Sequence, residues 1–134
     1  MKCDSIKAAV VDLKIRLLIT LGKFKEGFDF IDSLQVSDFT YPYKKKLNHD
    51  NFIALNFESK KDTVSRNLTY RKMASDLKTY INNNSLKSKE FQEAFTDLSS
   101  LTGNLDNSTL SNGQIDSLKL KYPDETKFLD FFKH

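Results

Sequence analysis

The stretch LITLGKFKEGFDFIDSL, residues 18–34, decides the fold, because it joins two amphipathic helices through a glycine turn. Upstream of the turn, apolar residues recur at steps of three and four, as on one face of a helix: Ile6, Val10, Leu13, Leu17 and Leu21. Downstream, one helical face carries Phe24, Gly27, Phe28, Ile31 and Leu34. From Ile15 onward apolar residues surround the first helix, so we expect it to be largely buried. A helical hairpin over residues 4–35, turning at Gly22, is predicted.

Within this hairpin, LGKFKEGFDFIDSL resembles the second half of a tetratricopeptide-type unit. The turn glycine, aromatic, small and two apolar positions of that family fall on Gly22, Phe24, Gly27, Ile31 and Leu34. The pattern does not recur 34 residues later, and solenoid repeats need stacked copies for stability. The resemblance therefore implies a tight helical hairpin and no repeat array.

Residues 36–62 form a basic segment that is either irregular or a β-hairpin. Aromatic or apolar residues alternate on both sides of the polar string KKKLNHDN, which is typical of strands: Phe39, Tyr41 and Tyr43 before it, Ile53, Leu55 and Phe57 after it. A small β-hairpin over residues 39–57 with a basic tip is one interpretation. The other is an extended loop followed by a short helix, and we favour the hairpin.

The remaining residues, 63–134, are predicted to be helical. Apolar spacing indicates a helix from near Thr69 to about Asn82, and another from about Ser88 to Leu101. Ser111 and Gln114 form an S-x-x-Q capping box that starts a further helix. Pro123 ends that helix and suits the first position of a last one. We therefore expect a mainly α protein, one compact domain over residues 1–134 with five or six helices.

The composition of the chain excludes several classes of protein. A single cysteine excludes an intrachain disulfide and a multi-cysteine zinc site. Asp12, Lys14 and Arg16 interrupt the N-terminal apolar run, which therefore makes neither a signal-peptide core nor a membrane span. No glycine-rich phosphate loop or chelating His spacing occurs, so we expect no cofactor and no metal. A soluble, cytoplasmic protein without a membrane partner is expected.

Two weak patterns point to catalysis. The string DNFIALNFESK resembles the restriction-endonuclease-like nuclease pattern, which implies that Asp50 and Glu58 hold Mg²⁺ and that Lys60 positions the attacking water. That family needs further strands after the E-x-K, whereas residues 62–134 indicate helices. His49 is a candidate general base for a metal-independent ribonuclease, a site that also needs a second acid and a cation. Both are remote alternatives, and we do not predict an enzyme.

The central third of the chain favours nucleic-acid binding as an alternative function. Residues 40–80 carry nine Lys/Arg against four Asp/Glu, a local charge of +5 within a chain of net charge +3. Basic side chains contact phosphates and aromatic side chains stack on bases. The candidate binding residues are Tyr41, Tyr43, Lys44, Lys45, Lys46, Arg71, Lys72 and Lys78.

Binding to another protein is the leading prediction, because a small helical domain without a catalytic constellation offers little other chemistry. An adaptor, an inhibitor, or an immunity or antitoxin-like protein fits this description. The C-terminal string FLDFF is either the last core element or a partner face made by Phe128, Phe131 and Phe132.

Overall fold

A computed structural model describes residues 2–103, 105 and 110–133, with side chains from Ile6 onward. The helices are α1 (Lys2–Thr20), α2 (Phe24–Asp32), α3 (Lys44–Ser59), α4 (Thr63–Asn83), α5 (Ser88–Gly103), α6 (Asn112–Lys121) and α7 (Thr126–Asp130). Short 3₁₀ turns cover Val36–Asp38 and Pro123–Glu125. These residues include no strand, so the mainly α prediction is confirmed, and seven α-helices replace the expected five or six. Two compact units, Met1–Met73 and Ala74–His134, divide the chain within α4.

The β-hairpin predicted over residues 39–57 is wrong, and the other interpretation of residues 36–62, a loop followed by a helix, is closer to the structure. A 3₁₀ turn and α3 occupy this region. The helix buries Phe52 and Ala54, which the alternating pattern left out, whereas Ile53, Leu55 and Phe57 are only half-buried. Helical packing against α2 therefore outweighs a short period-two pattern.

Gly22 makes the turn between α1 and α2, as the sequence predicts. Its φ of 71° lies in the left-handed region that glycine adopts without a steric cost. The Gly22 amide donates to the Ile19 carbonyl at 3.0 Å and the Lys23 amide to the Leu18 carbonyl at 2.9 Å. This pair of hydrogen bonds is the Schellman motif, which closes the end of α1.

The core of the first unit lies where α1, α2 and α3 meet. It consists of the buried side chains Val11, Ile15, Leu18, Ile31, Phe39 and Phe52. Gly27 lies in α2 directly beneath the Phe52 ring, where a Cβ atom would have no room. The small residue of the helical hairpin therefore allows α3 to approach α2 closely.

The turn between α3 and α4 starts α4 at Thr63, six residues before the predicted start. Lys61, with φ of 60°, takes the left-handed position of a second Schellman motif. The amides of Lys61 and Asp62 donate to the carbonyls of Glu58 and Phe57, both at 2.9 Å. The Asp62 carboxylate then accepts from the Ser65 amide at 3.0 Å and caps α4, and this bond lowers the pKa of Asp62.

The second unit is built around an aromatic cluster. Phe91 and Phe95 of α5 are fully buried. The Phe91 ring lies 4.2 Å from the Tyr122 ring, and the Phe95 ring lies 4.7 Å from the Phe132 ring, centroid to centroid. The Tyr122 hydroxyl oxygen lies 2.6 Å from the Ile81 carbonyl oxygen and 2.7 Å from that of Asn84, so its one proton is shared between these two acceptors. Tyr122 thus joins the aromatic core to the carboxyl end of α4.

Helix α6 begins at the predicted capping box. The Gln114 amide donates to Ser111 Oγ at 3.1 Å, and the Ser111 amide donates to Gln114 Oε1 at 2.9 Å. Pro123 opens a 3₁₀ turn instead of the last helix, and α7 starts three residues later, at Thr126. Within that turn the buried Glu125 carboxylate accepts hydrogen bonds from Ser88 and Gln92.

Candidate functional site

Helix α1 carries a row of exposed apolar side chains that we call the α1 stripe. Its members are between 55% and 69% exposed: Ile6, Val10, Leu13, Leu17 and Leu21. At about 100° per residue they fall within an arc of about 80°. Monomeric proteins commonly scatter single apolar residues over the surface, whereas a contiguous row marks an interaction site.

Packing of another face of α1 against the core fixes the orientation of the α1 stripe. Val11, Ile15 and Leu18 are buried in the core of the first unit, on an arc centred about 130° from the stripe. Helix α1 ends at Thr20, and the Leu21 amide donates to the Leu17 carbonyl at 2.9 Å within the turn that the Schellman motif at Gly22 closes. Because one face of α1 packs against the core, the stripe cannot turn inward without disrupting that core.

Charged side chains border the α1 stripe. The Lys7 ammonium lies 2.7 Å from the Asp38 carboxylate, and the Arg16 guanidinium lies 3.0 Å from Asp12. Lys14 Nζ lies 4.3 Å from the centroid of the Phe30 ring. The Lys7 ammonium, and after it the Gln35 amide, hold the pKa of Asp38 below its usual value. Cationic side chains therefore flank the α1 stripe, and those of Lys7 and Arg16 are paired with carboxylates.

The apolar spacing predicted that the first helix would be largely buried, whereas all five stripe residues are more than half exposed. Two apolar series with helical spacing run along α1, and the structure buries the other one. The sequence did indicate that α1 has two apolar faces, because a helix that is apolar on several sides needs a packing neighbour on each side. The elements that contact α1 most are α2 and the 3₁₀ turn at Val36–Asp38.

The predicted nucleic-acid residues near residue 44 are partly engaged inside the first unit. Tyr43 is buried, and its ring is stacked on that of Tyr41 at 6.3 Å between centroids. Lys44 Nζ lies 5.3 Å from the Tyr43 ring, and Lys45 Nζ donates to the Leu34 carbonyl at 2.5 Å. Lys46 is exposed. Tyr43 therefore presents little ring surface on which a base could stack.

Further cations lie later in the chain, among them the predicted binding residues Arg71, Lys72 and Lys78. Lys60 and Lys61 are exposed at the turn that precedes α4, and Arg71 and Lys72 are exposed side by side on α4. Lys78 is half-buried in the second unit. The exposed members of this group are accessible to a polyanion.

The structure does not bring the nuclease candidates together. Asp50 and Glu58 lie on the same helix, eight residues apart, which is about 12 Å along its axis. Asp50 is buried, Glu58 Oε1 accepts from Arg66 at 3.3 Å, and Lys60 follows the end of the helix. In the described part of the chain, no group of three or more His, Cys, Asp or Glu residues is arranged to hold a metal ion.

His49 lies between two carboxylates. Its Nδ1 is 3.1 Å from Asp50 Oδ1, and its Nε2 is 3.8 Å from Asp32 Oδ1. The imidazole ring also packs against the Phe28 ring, with centroids 4.3 Å apart. Asp32 and Phe28 belong to α2, so these contacts join α3 to α2 at the helix pair that forms the core.

The predicted C-terminal partner face is split. Phe128 and Phe132 pack edge-on against Phe95, with ring centroids 5.8 and 4.7 Å away, and belong to the aromatic cluster. Phe131 is 87% exposed, as is Leu120 on α6. Of the three phenylalanines proposed for partner binding, Phe131 alone presents most of its side chain to solvent.

Comparison of the chain with protein-family models, with curated proteins and with solved structures found no significant match. None of the helices in the described part of the chain combines the length and apolar character needed to cross a membrane.

Proposed function

We propose that this chain is a non-enzymatic binding protein that acts by contacting another protein through the α1 stripe. The observation that supports the proposal is the row of five large apolar side chains, each more than half exposed, on one face of one helix. Helical recognition uses anchors at this i, i+3, i+4, i+7 spacing. Burying such a row against a partner is favourable by roughly 25 cal/mol for each Å² removed from water.

Co-purification from the native host tests this proposal. The tagged wild-type protein is compared with Leu13→Lys, which places a charge in the middle of the stripe. Leu120→Lys is the control, since it makes the same change at a still more exposed leucine, on α6. We expect Leu13→Lys to weaken partner binding by at least about tenfold, as for a central apolar contact, while Leu120→Lys binds normally.

Circular dichroism and thermal unfolding of both variants show whether the fold is intact. A folded Leu13→Lys protein that recovers the same partners at wild-type levels contradicts the proposal. Adaptors, inhibitors and immunity or antitoxin-like proteins all bind in this way, and the identity of the recovered partner distinguishes them.

Nucleic-acid binding is the second candidate, and the exposed cations of the first unit favour it. Lys60, Lys61, Arg71 and Lys72 are all exposed, and the segment 40–80 has a charge of +5. Contacts to phosphates release counterions, so affinity for generic DNA or RNA should fall steeply with salt concentration. Filter binding across a salt titration measures this, and the absence of a salt-sensitive affinity contradicts the second candidate.

A further inference from the structure

Cationic side chains flank the α1 stripe on both borders, and the acidic Asp12 lies beside Arg16 on one of them. Helical angles place Lys7 and Lys14 along one border and Arg16 along the other, at about 100° per residue. All three side chains are exposed. Lys7 contacts Asp38 and Arg16 contacts Asp12, and because a guanidinium has five N–H donors, Arg16 can donate to a carboxylate of a partner as well.

We infer that the partner segment on the α1 stripe is an amphipathic helix with acidic side chains on both sides of its apolar row. This inference rests on the proposed function, because it names the partner of the same surface. Ile6, Val10, Leu13 and Leu17 have the spacing of heptad positions d, a, d and a, which pack as knobs into the holes of a second helix, and Leu21 follows at the flanking e position. Lys7, Lys14 and Arg16 then occupy the flanking e and g positions, where charge sets partner choice.

A second copy of this chain fits the stripe less well. In an antiparallel pair of α1 helices, Lys7 of one copy faces Lys14 of the other. In a parallel pair, Arg16 faces Leu21, and no attractive pair forms at the flanks. Acidic flanks on a different helix would face these cations with opposite charge instead.

A membrane surface also fits less well. Helices that lie in a lipid interface bury a wide apolar face, often with Trp or Phe, and place a strongly charged face toward water. The α1 stripe is one side chain wide and contains no aromatic residue. The face opposite the stripe is buried in the protein core.

Two designed helical peptides test the inference. Both have three heptads with Ile at a and Leu at d, and they differ only in having Glu or Lys at every e and g position. Like charges at these positions disfavour self-pairing of either peptide. We expect the full-length protein to bind the Glu peptide about tenfold more tightly than the Lys peptide at low salt, and within about twofold at 1 M salt.

A charge-reversed protein supplies the decisive comparison. Lys14→Glu combined with Arg16→Glu should prefer the Lys peptide, and a merely structural role of these residues would not invert the preference. Lys7 is left in place because it binds Asp38. Fluorescence anisotropy of labelled peptides measures all four affinities.

The outcomes separate this inference from the proposed function. Equal binding of both peptides, lost in Leu13→Lys, overturns the acidic partner and leaves the stripe as a binding surface. Failure of both peptides to bind overturns the helical partner, and the co-purification experiment then decides the proposed function by itself.

Two further results overturn the inference in favour of other occupants. Sedimentation of the protein alone as a dimer that Leu13→Lys dissociates assigns the stripe to a second copy. Binding to phosphatidylserine-containing vesicles that Leu13→Lys abolishes assigns it to a lipid surface.

Discussion

Gly27 of α2 lies against the ring of Phe52 of α3, so closely that a Cβ atom at Gly27 would be 2.2 Å from Phe52 Cε1 and 2.3 Å from Cζ. Phe52 is 1% exposed and is surrounded by the core of the first unit. Because protein interiors are close-packed, the ring cannot move aside without displacing its neighbours. The absence of a side chain at Gly27 therefore sets the separation between the two helices.

Gly27→Ala should destabilise the protein by about 1–3 kcal/mol, the usual cost of overpacking a core. Urea unfolding measures the change. Gly113→Ala in α6 is the control, because its Cβ would be 3.8 Å from Ser111 Oγ, an ordinary contact. Adding Phe52→Leu to Gly27→Ala should cost less than the sum of the two single changes. Additive costs, or a Gly27→Ala protein as stable as wild type, would contradict the contact.

The two faces of α1 should respond differently to the same kind of truncation. Ile15→Ala removes buried core volume and should cost about 2–5 kcal/mol. Leu13→Ala, two residues away on the α1 stripe, should change the free energy of unfolding by no more than about 0.5 kcal/mol. Thermal and urea unfolding of the purified variants compare them. Similar decreases in the free energy of unfolding for Ile15→Ala and Leu13→Ala would mean that the stripe is buried in solution.

Acid should weaken the ion pair between Lys7 and Asp38. The pKa of Asp38 is lower in the folded protein than its ordinary value of 3.8, so the folded state binds fewer protons. The stabilisation is therefore complete above pH 3.8 and is lost as the pH falls through the folded pKa. Asp38→Asn should be less stable than wild type at neutral pH, and the difference should shrink below pH 3.8.

Urea unfolding at a series of pH values measures that difference. Lys7→Met should show the same narrowing, since it removes the cation that contributes most to the low pKa of Asp38. A gap between wild type and Asp38→Asn that stays constant down to about pH 3 would exclude this source of acid sensitivity.

Lys61→Gly should stabilise the protein, by up to about 1 kcal/mol. Lys61 has φ of 60°, a conformation that costs an L-residue about 1–2 kcal/mol, of which the greater chain entropy of glycine offsets about 0.5–1 kcal/mol. Gly22→Ala is the reciprocal test, because Gly22 takes the same position in the same hydrogen-bonded motif, and it should be destabilising. Differential scanning calorimetry compares the stabilities of Lys61→Gly and Gly22→Ala with that of wild type. A destabilised Lys61→Gly or a stabilised Gly22→Ala would show that the left-handed backbone conformation carries no such cost.

Local features were predictable from the sequence because their causes lie within a few residues. The Gly22 turn and the Ser111 capping box are examples, since each is set by one side chain and the adjacent backbone. The start of α4 at Thr63 also has a local cause, the Asp62 carboxylate that caps the helix. Asp62 lies outside the apolar pattern from which the start of the helix was predicted.

Features that depend on distant partners were not predictable in the same way. Which apolar face of α1 is buried depends on where α2 lies, and both faces have helical spacing. Residues 53–57 alternate as a strand would, yet Gly27 lets α3 pack on α2 as a helix. The same holds for the candidate binding residues 41–46. Tyr43 and Lys45 make contacts within the first unit, and these contacts could not be predicted from the local sequence.

The carboxyl end of α4 has a consequence for how the protein is made. Lys121 Nζ donates to the carbonyls of Ile81 and Asn82, and the one proton of the Tyr122 hydroxyl is shared between the carbonyls of Ile81 and Asn84, across 38 to 41 residues of chain. The end of α4 therefore leaves the ribosome long before the residues that donate hydrogen bonds to its carbonyl groups have been synthesised. The first unit can be completed during translation, whereas the second must wait for α6.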